Sequence, residues 1–222
     1  MEGKVLIIGL DGLDHGLALR WMVKDLLQSS HGELYVGDIN TLYTPLIWSS
    51  ILCGFNVEER GYGYEEAVRR SMGPLGLLHD LKRRVFGERR FWNIRRLLIA
   101  LGFLKANFVM PEYLLKETFL EIARDSGFRV FALEVPGYNE VGNGVFRLKM
   151  HELALSGKFK SKVDFVEKVK CDALIRLERT RSALEDHDLV MCYLPLPDLA
   201  HHLFCLLYTS PSPRDLSTSR MP

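Results

Sequence analysis

The sequence predicts an α/β fold with a mostly parallel sheet flanked by helices. Short apolar runs that suit buried strands alternate with longer segments of helical spacing, the pattern of strand–helix–strand units. The runs at 4–10 and 188–196 are each followed within a few residues by an aspartate. The chain has 222 residues, of which 47% are hydrophobic and 26% charged, enough for one domain with its own core.

The first half of the chain contains two predicted strands and two predicted helices. Residues 4–10 (KVLIIGL) are an apolar run typical of a buried parallel strand, and 33–39 (ELYVGDI) alternate like a strand. Residues 14–29 have helical spacing with one apolar face. Residues 45–53 predict a short helix that stops at Gly54.

The second half of the chain is predicted to contain an amphipathic helix, a strand, a Gly/Asn-rich turn region, a long helix with many charge pairs, and a further strand. In chain order these are 112–126, 128–135, 136–147, 161–186 and 188–196. The first of these helices is expected to close at Gly127, and the last strand is followed at once by PDLAHHLF, a predicted helical turn. Because ligands bind beyond the carboxyl ends of parallel strands, the residues after these strands are candidates for a site.

Composition limits the partners and the compartment. The net charge is +1, so the whole molecule has no strong electrostatic preference for nucleic acid. The four cysteines lack the paired spacing of a metal knuckle or a disulfide scaffold, which favours a reducing compartment: Cys53, Cys171, Cys192 and Cys205. The N-terminal MEGKVLIIGLDG lacks the features of a secretory signal, so a cytoplasmic location is predicted.

Residues 58–110 break the alternation and carry eleven Lys/Arg against six Asp/Glu. We interpret them as an inserted helical cap whose arginines form a solvated face. Two functional alternatives remain open. Arginines could recognise a phosphorylated substrate, or residues 69–96 could contact anionic lipid through a basic amphipathic surface.

The end of the chain changes abruptly to Ser, Pro and Thr. The segment CLLYTSPSPRD within 205–222 is similar to the translation of a transposon-type sequencing-library adapter, so we expect these residues to be non-native. The genuine chain would then stop near Phe204, with the gene continuing beyond it, and 1–204 would be the N-terminal portion of one domain. A disordered C-terminal tail is the alternative.

Thr44 stands directly before a proline at the start of a predicted helix. It is a favourable N-cap, with Pro45 at the preferred first helical position. A helix N-terminus also offers N–H groups and partial positive charge, which suit a phosphate. A threonine there could attack phosphorus, but it needs a base or a metal to activate it.

Three residues could supply metal ligands. Asp11 follows the first strand, and Asp198 and His202 form a D-x-x-x-H pair whose spacing places both side chains on one helix face. A carboxylate with an imidazole suits zinc or another divalent transition metal. His201 is adjacent but faces elsewhere by helical geometry.

Three segments together resemble the alkaline phosphatase superfamily, in particular its type I phosphodiesterase/nucleotide pyrophosphatase branch: VLIIGLDG, TPLIWSSILCG and LPDLAHH. The resemblance covers residues 1–56 and about 128–204, and it implies an alkaline-phosphatase-like sheet. It does not extend to the basic segment.

The resemblance implies a role for each matching residue. Asp11 would bind one metal, Thr44 would be the metal-activated nucleophile, and Asp198 and His202 would hold a second metal. The cofactors would be two divalent ions, zinc with manganese as the alternative, and the substrate a small phosphate ester or nucleotide. The family also uses a later Asp-His pair and a further His, which this chain lacks, so the 222-residue polypeptide is expected to be an incomplete and inactive fragment.

The sequence therefore predicts a metal-dependent phosphodiesterase or nucleotide pyrophosphatase that works through a phosphothreonine. A phosphomonoesterase or phosphosugar mutase of the same superfamily is the nearest alternative. A sulfatase is disfavoured because Thr44 is not in the C/S-x-P-x-R context of those enzymes. A non-catalytic module that binds anionic ligands through the basic segment is the alternative from another class.

Overall fold

The computed structural model describes residues 3–13, 15–20, 29–30, 42–71, 108–156 and 158–204. These residues form a mixed α/β structure built on a small parallel sheet. The strands are β1 (Val5–Leu10), β2 (Val130–Leu133) and β3 (Leu189–Leu194). The helices are α1 (His15–Arg20), α2 (Thr44–Cys53), α3 (Tyr64–Ser71), α4 (Glu112–Leu115), α5 (Phe119–Asp125), α6 (Asn143–Ser156), α7 (Phe159–Asp186) and α8 (Leu196–Phe204), with a 3₁₀ turn at Val57–Arg60.

The sheet has the order β1-β3-β2, and both pairings are parallel. The predicted α/β class with parallel pairing is therefore confirmed for the described strands. In the register of β1 on β3, Leu10 lies opposite Leu194, so the two strands end side by side. The residues that follow these two strands consequently start from neighbouring points at one edge of the sheet.

Helices cover both faces of the sheet around β3. Met191 belongs to a core that includes α2, α4 and the start of α5, while Cys192 packs with Ala173 of α7 on the opposite face. This alternation follows from the period of two along a strand. It explains why β3 is an apolar run without polar positions, since both of its faces are buried.

A third apolar cluster joins α6, α7 and α8 beyond the carboxyl end of β3. Met150 and Leu153 of α6, Phe165 and Val169 of α7, and Leu199 and Leu203 of α8 form its buried part. This packing holds α8, and with it the segment that carries Asp198, against α6.

Two predicted elements differ from the structure. The single helix expected at 112–126 is divided into α4 and α5, because Thr118 caps a new helix. The turn region expected at 136–147 ends early, since α6 already begins at Asn143. Asn143 is buried and donates through Nδ2 to the carbonyl oxygen of Glu134 at 2.8 Å, a tertiary contact that the local sequence does not reveal.

The ends of the predicted basic insert lie in the core. Tyr62 and Ala67 at one end, and Phe108 and Met110 at the other, pack in the same cluster as α2. Arg69 and Arg70 are partly exposed and pair with Glu66 on α3. The segment between these ends, 72–107, lies outside the described residues.

Other predictions also fall outside the described residues, namely the strand at 33–39, most of the helix at 14–29 and the tail at 205–222. Among the helices that the structure does describe, none is both long and apolar enough to cross a membrane.

Candidate active site

Asp11 and Asp198 meet beyond the carboxyl ends of β1 and β3. Asp11 follows β1 directly, and its N–H donates to the carbonyl oxygen of Leu194 at 3.1 Å. Gly12 has a φ of +67°, and a Cβ on it would lie 2.9 Å from the Cα of Asp198. Only glycine fits both this backbone conformation and this close approach, so the GLDG turn can lie directly against the start of α8.

Thr44 turns its hydroxyl towards this edge of the sheet. The N-cap of α2 is Tyr43, and no side chain caps the helix, so the interpretation of Thr44 as an N-cap is wrong. Instead its Oγ1 lies 3.4 Å from Oδ2 of Asp11, a long hydrogen bond between residues 33 positions apart. The sequence-predicted nucleophile and the sequence-predicted metal ligand are therefore brought together.

The N-terminus of α2 offers fewer free backbone N–H donors than its sequence suggested. Pro45 has no N–H, and the N–H groups of Leu46 and Ile47 both donate to the carbonyl oxygen of Tyr43, at 2.9 and 3.1 Å. Their hydrogen-bonding capacity is used within the first turn. A phosphoryl oxygen beside Thr44 would need donors from elsewhere.

Two aromatic side chains that sequence analysis missed also hold Asp11. The buried Tyr193 donates its hydroxyl to Oδ2 of Asp11 at 2.5 Å, and Trp48 Nε1 lies 3.5 Å from Oδ1. Burial, followed by the charge and hydrogen bond of Asp11, raises the pKa of Tyr193 well above its usual range, so the phenol stays a donor. The Trp48 and Tyr193 rings pack edge to face, 5.3 Å between centroids.

Helical spacing places Trp48 on the face of α2 that carries Thr44, and strand alternation places Tyr193 on one face of β3. Trp48 lies four residues after Thr44, on the same face of α2, which is a detectable signal. A Cβ on Gly9 would lie 2.4 Å from the Trp48 ring, so the glycine of β1 makes room for the indole. Tyr193 belongs to the face of β3 that carries Met191, but its pairing with Asp11 depends on the strand order, which sequence analysis did not determine.

Asp198 and His202 form the pair that their spacing predicted. His202 Nε2 lies 3.4 Å from Oδ1 of Asp198, and the carboxylate is the more buried partner. Burial and the negative charge of Asp11 raise the pKa of Asp198 to about 6, against the opposing charges of His202, Arg147 and His201. The two carboxylates therefore repel each other across the site, and a cation between them would relieve that repulsion.

The described residues do not complete a metal site. Within the described ranges, no group of three or more His, Cys, Asp or Glu is arranged to hold a metal ion. What the structure brings together is one hydroxyl–carboxylate pair, Thr44 with Asp11, and one carboxylate–imidazole pair, Asp198 with His202. Their donor types suit zinc or manganese, and their number falls short of a closed site.

A buried ion pair on α6 and the loop before it borders the site. Arg147 Nη2 lies 2.6 Å from Oε2 of Glu140, whose side chain is fully buried. Sequence analysis treated this region only as a turn and missed both residues. No sequence pattern marks them, since the pair spans seven residues and depends on where the loop folds back.

Comparison of the chain with protein-family models, with curated proteins and with solved structures gives no match. The arrangement of the site residues therefore carries the functional argument.

Proposed function

We propose that the protein is a metal-dependent hydrolase of phosphate esters, a phosphodiesterase or nucleotide pyrophosphatase resembling those of the alkaline phosphatase superfamily, with Thr44 as the nucleophile. The observation that carries this proposal is the orientation of Thr44. Its hydroxyl does not cap α2 and lies on the carboxylate of Asp11, at the edge of a parallel sheet where ligands bind.

The chain's own residues define a sequence of bond changes. Thr44 Oγ1 attacks phosphorus as its proton passes towards Oδ2 of Asp11, the oxygen that already accepts its hydrogen bond. The bond from phosphorus to the leaving oxygen breaks, and the leaving group departs with that electron pair. Water then attacks phosphorus and the bond to Thr44 Oγ1 breaks. That oxygen takes its proton back from Asp11, and the proton of the water passes to solvent as the phosphate or the phosphate monoester leaves.

Tyr193 and Trp48 are positioning residues in this scheme. Both contact the carboxylate of Asp11, so they fix the oxygen that Thr44 faces. The two rings pack edge to face, which supports the positions of both donors.

Metal ions fit the donor types at this edge of the sheet. Asp11 with Thr44 would hold one divalent ion, and Asp198 with His202 a second. When bound, such ions lower the pKa of a coordinated hydroxyl and offset the charge that develops on phosphoryl oxygens. The mutual repulsion of Asp11 and Asp198 supports cation binding here.

The test uses the open reading frame recovered from the source DNA, expressed with added Zn²⁺ or Mn²⁺. We expect hydrolysis of bis(p-nitrophenyl) phosphate to exceed that of p-nitrophenyl phosphate, which is the result that separates a diesterase from a monoesterase. Thr44→Ala should lower turnover by at least about a thousandfold, because no oxygen remains to attack phosphorus.

Thr44→Ser is the matched control, since it keeps the hydroxyl and should keep measurable turnover. Mass spectrometry of an acid-quenched reaction should find the added phosphoryl group on Thr44. Turnover in Thr44→Ala equal to that of the parent would contradict the mechanism.

A further inference from the structure

Gly137 lies against the first turn of α2, the turn that carries Thr44. Its φ is +78°, and a Cβ on it would lie 2.6 Å from Oγ of Ser49 and 3.3 Å from the carbonyl oxygen of Pro45. Ser49 is fully buried, and its Oγ donates to that same carbonyl oxygen at 2.6 Å. Only glycine fits both this conformation and this close approach, so the backbone of Gly137 packs directly on α2.

The side chain of Asn139 fixes the VPGYN turn, residues 135–139, to the end of β2. Oδ1 of Asn139 accepts from the N–H of Val135 at 2.9 Å, and Nδ2 donates to the carbonyl oxygen of Ala132 at 2.7 Å. The N–H groups of Tyr138 and Asn139 both donate to the carbonyl oxygen of Val135 at 3.1 Å. The shape of the turn is therefore set by its own hydrogen bonds and by the strand before it.

Contacts from other parts of the chain also hold the VPGYN turn. The N–H of Met110 donates to the carbonyl oxygen of Gly137 at 2.7 Å. The Tyr138 hydroxyl donates to Oε1 of Glu121 on α5 and accepts from Nη1 of Arg124 at 3.1 Å. Because the turn is attached both to the sheet and to α5, it limits how far the first turn of α2 can shift towards it.

The first turn of α2 is contacted on two neighbouring faces. Thr44 and Trp48, four residues apart, face Asp11. Pro45 and Ser49, each one position later, face the VPGYN turn. Consecutive residues of an α-helix are rotated by about 100°, so a displacement at the second face also moves the first. The contact from Thr44 to Asp11 is already 3.4 Å long, and a small displacement would take it beyond hydrogen-bonding distance.

We propose that Gly137 is a positioning residue for Thr44: the VPGYN turn sets the place of the first turn of α2 at the edge of the sheet, and with it the distance from the Thr44 hydroxyl to Asp11. The inference rests on the proposed function, since this distance matters for hydrolysis only if Thr44 is the nucleophile. Gly137 acts through Pro45 and Ser49 rather than on the reacting atoms. A misplacement of about 1 Å costs a reaction about a hundredfold in rate.

The test substitutes Gly137→Ala in the full chain and follows the indole N–H of Trp48 by proton–nitrogen correlation NMR. This N–H lies 3.5 Å from Oδ1 of Asp11, so its chemical shift reports the place of α2 at the sheet edge without any need for turnover. Because the added Cβ would lie 2.6 Å from Oγ of Ser49, we expect the indole resonance to move by more than its line width. Trp48→Phe assigns the resonance among the three tryptophans of the chain.

Gly54→Ala is the matched control. Gly54 ends the same helix with a φ of +75°, and among the described residues nothing lies within 4 Å of a Cβ built on it. Both substitutions should lower the urea midpoint, because alanine is strained at a positive φ. Only Gly137→Ala should move the Trp48 resonance. An unmoved resonance in Gly137→Ala, or an equal movement in both variants, would overturn the proposal.

The double substitution S49A/G137A tests the contact itself. It removes the Oγ that the added Cβ would meet, so it should return the Trp48 resonance most of the way to that of the parent. It should also be more stable than Gly137→Ala, although it loses the hydrogen bond from Ser49 to Pro45. If Gly137→Ala is too unstable for NMR, the double variant should still fold. A double variant no better than Gly137→Ala in stability or resonance would contradict the proposal.

Turnover supplies the second readout. With bis(p-nitrophenyl) phosphate, kcat of Gly137→Ala should fall about ten- to hundredfold with little change in KM, whereas Gly54→Ala should keep the kcat of the parent. A Trp48 resonance that moves while kcat stays at the parental value would overturn the role of Gly137 in the reaction.

The positioning of α2 and the proposed hydrolysis fail separately. If the parent hydrolyses no phosphate ester while the Trp48 resonance moves as expected, the positioning of α2 by Gly137 stands and the hydrolase falls. If Thr44→Ala loses turnover while Gly137→Ala keeps both the turnover and the resonance of the parent, the hydrolase stands and Gly137 is only a packing contact.

Discussion

Asp11 is held by donors from two elements that are distant in the chain. Thr44 and Tyr193 both donate to its Oδ2, and Trp48 lies against its Oδ1. A carboxylate held by several donors keeps one orientation. Of the three donors, the hydroxyl of Tyr193 lies closest to the carboxylate.

Tyr193→Phe tests this role at the level of one atom. Removing the hydroxyl leaves the ring and its packing on Trp48 intact, so we expect the free energy of unfolding to fall by only about 1 kcal/mol. In an assay of the proposed hydrolysis kcat should fall about tenfold with little change in KM, because Asp11 loses its fixed direction towards Thr44. Urea denaturation and steady-state kinetics measure the two effects.

Tyr62→Phe is the control for that substitution. Tyr62 is equally buried, and among the described residues its hydroxyl contacts the carbonyl oxygen of Val109 at 3.4 Å rather than Asp11. It should leave kcat unchanged. Equal losses of kcat in both variants would mean that Tyr193 acts through general stability alone.

At the scale of one element, Thr118 divides the helix that the sequence predicted at 112–126. Its Oγ1 donates to the carbonyl oxygen of Leu115 at 2.8 Å and accepts from the N–H of Glu121 at 3.3 Å. The hydroxyl thus closes α4 and caps α5 at once. The chain can bend there, which brings Leu114 and Leu120 into one core.

Thr118→Ala should destabilise the fold by about 1 kcal/mol, the ordinary cost of losing an N-cap hydroxyl. Chemical denaturation monitored by circular dichroism gives the difference. Thr118→Ser keeps the hydroxyl and should stay within about 0.5 kcal/mol of the parent. An alanine variant as stable as the serine variant would show that the division of the helix comes from packing alone.

At the scale of the whole molecule, Asp188 joins the amino ends of all three strands. Its carboxylate accepts from the Arg129 N–H at 2.9 Å and from the guanidinium Nη2 at 2.8 Å, beside β2. Its carbonyl oxygen accepts from the N–H of Val5 at 2.8 Å, at the start of β1. The hydrogen bonds of Arg129 lower the pKa of Asp188 to about 2.

This lowered pKa predicts a pH dependence of stability. A carboxyl group whose pKa is lower in the folded state stabilises the fold above its unfolded pKa of about 3.9. That contribution is lost as pH falls towards 2. Asp188→Asn should therefore be less stable than the parent at pH 6, and the difference should shrink between about pH 4 and pH 2.

Urea midpoints across this pH range provide the measurement. Glu178→Gln is the control, because Glu178 pairs with Arg181 one turn away on the exposed face of α7 and should matter little at any pH. A gap between Asp188→Asn and the parent that stays constant from pH 6 to pH 2 would show that ionisation of Asp188 does not stabilise the sheet.

The candidate site was partly predictable. Asp11 follows an apolar run, Thr44 precedes a proline, and Asp198 and His202 are four residues apart, so local pattern alone marked each of them. That these residues meet depends on the strand order, which sequence analysis did not determine. The alternation of strands and helices predicted only that the strands pair in parallel. The assignment of Thr44 as a cap was wrong because a local pattern cannot show which distant group a hydroxyl faces.

Hydrophobic periodicity and turn residues in the sequence determined the described strands, most of the described helices and the polar residues at the carboxyl ends of the strands. Tertiary structure alone decided that Tyr193 donates to Asp11, that Glu140 holds Arg147, and that Asn143 starts a helix. The reason is that periodicity reports only on neighbours within one element, whereas these bonds join groups between 7 and 182 residues apart. The packing of the helices on β3 brings the partners of these bonds together as the chain folds.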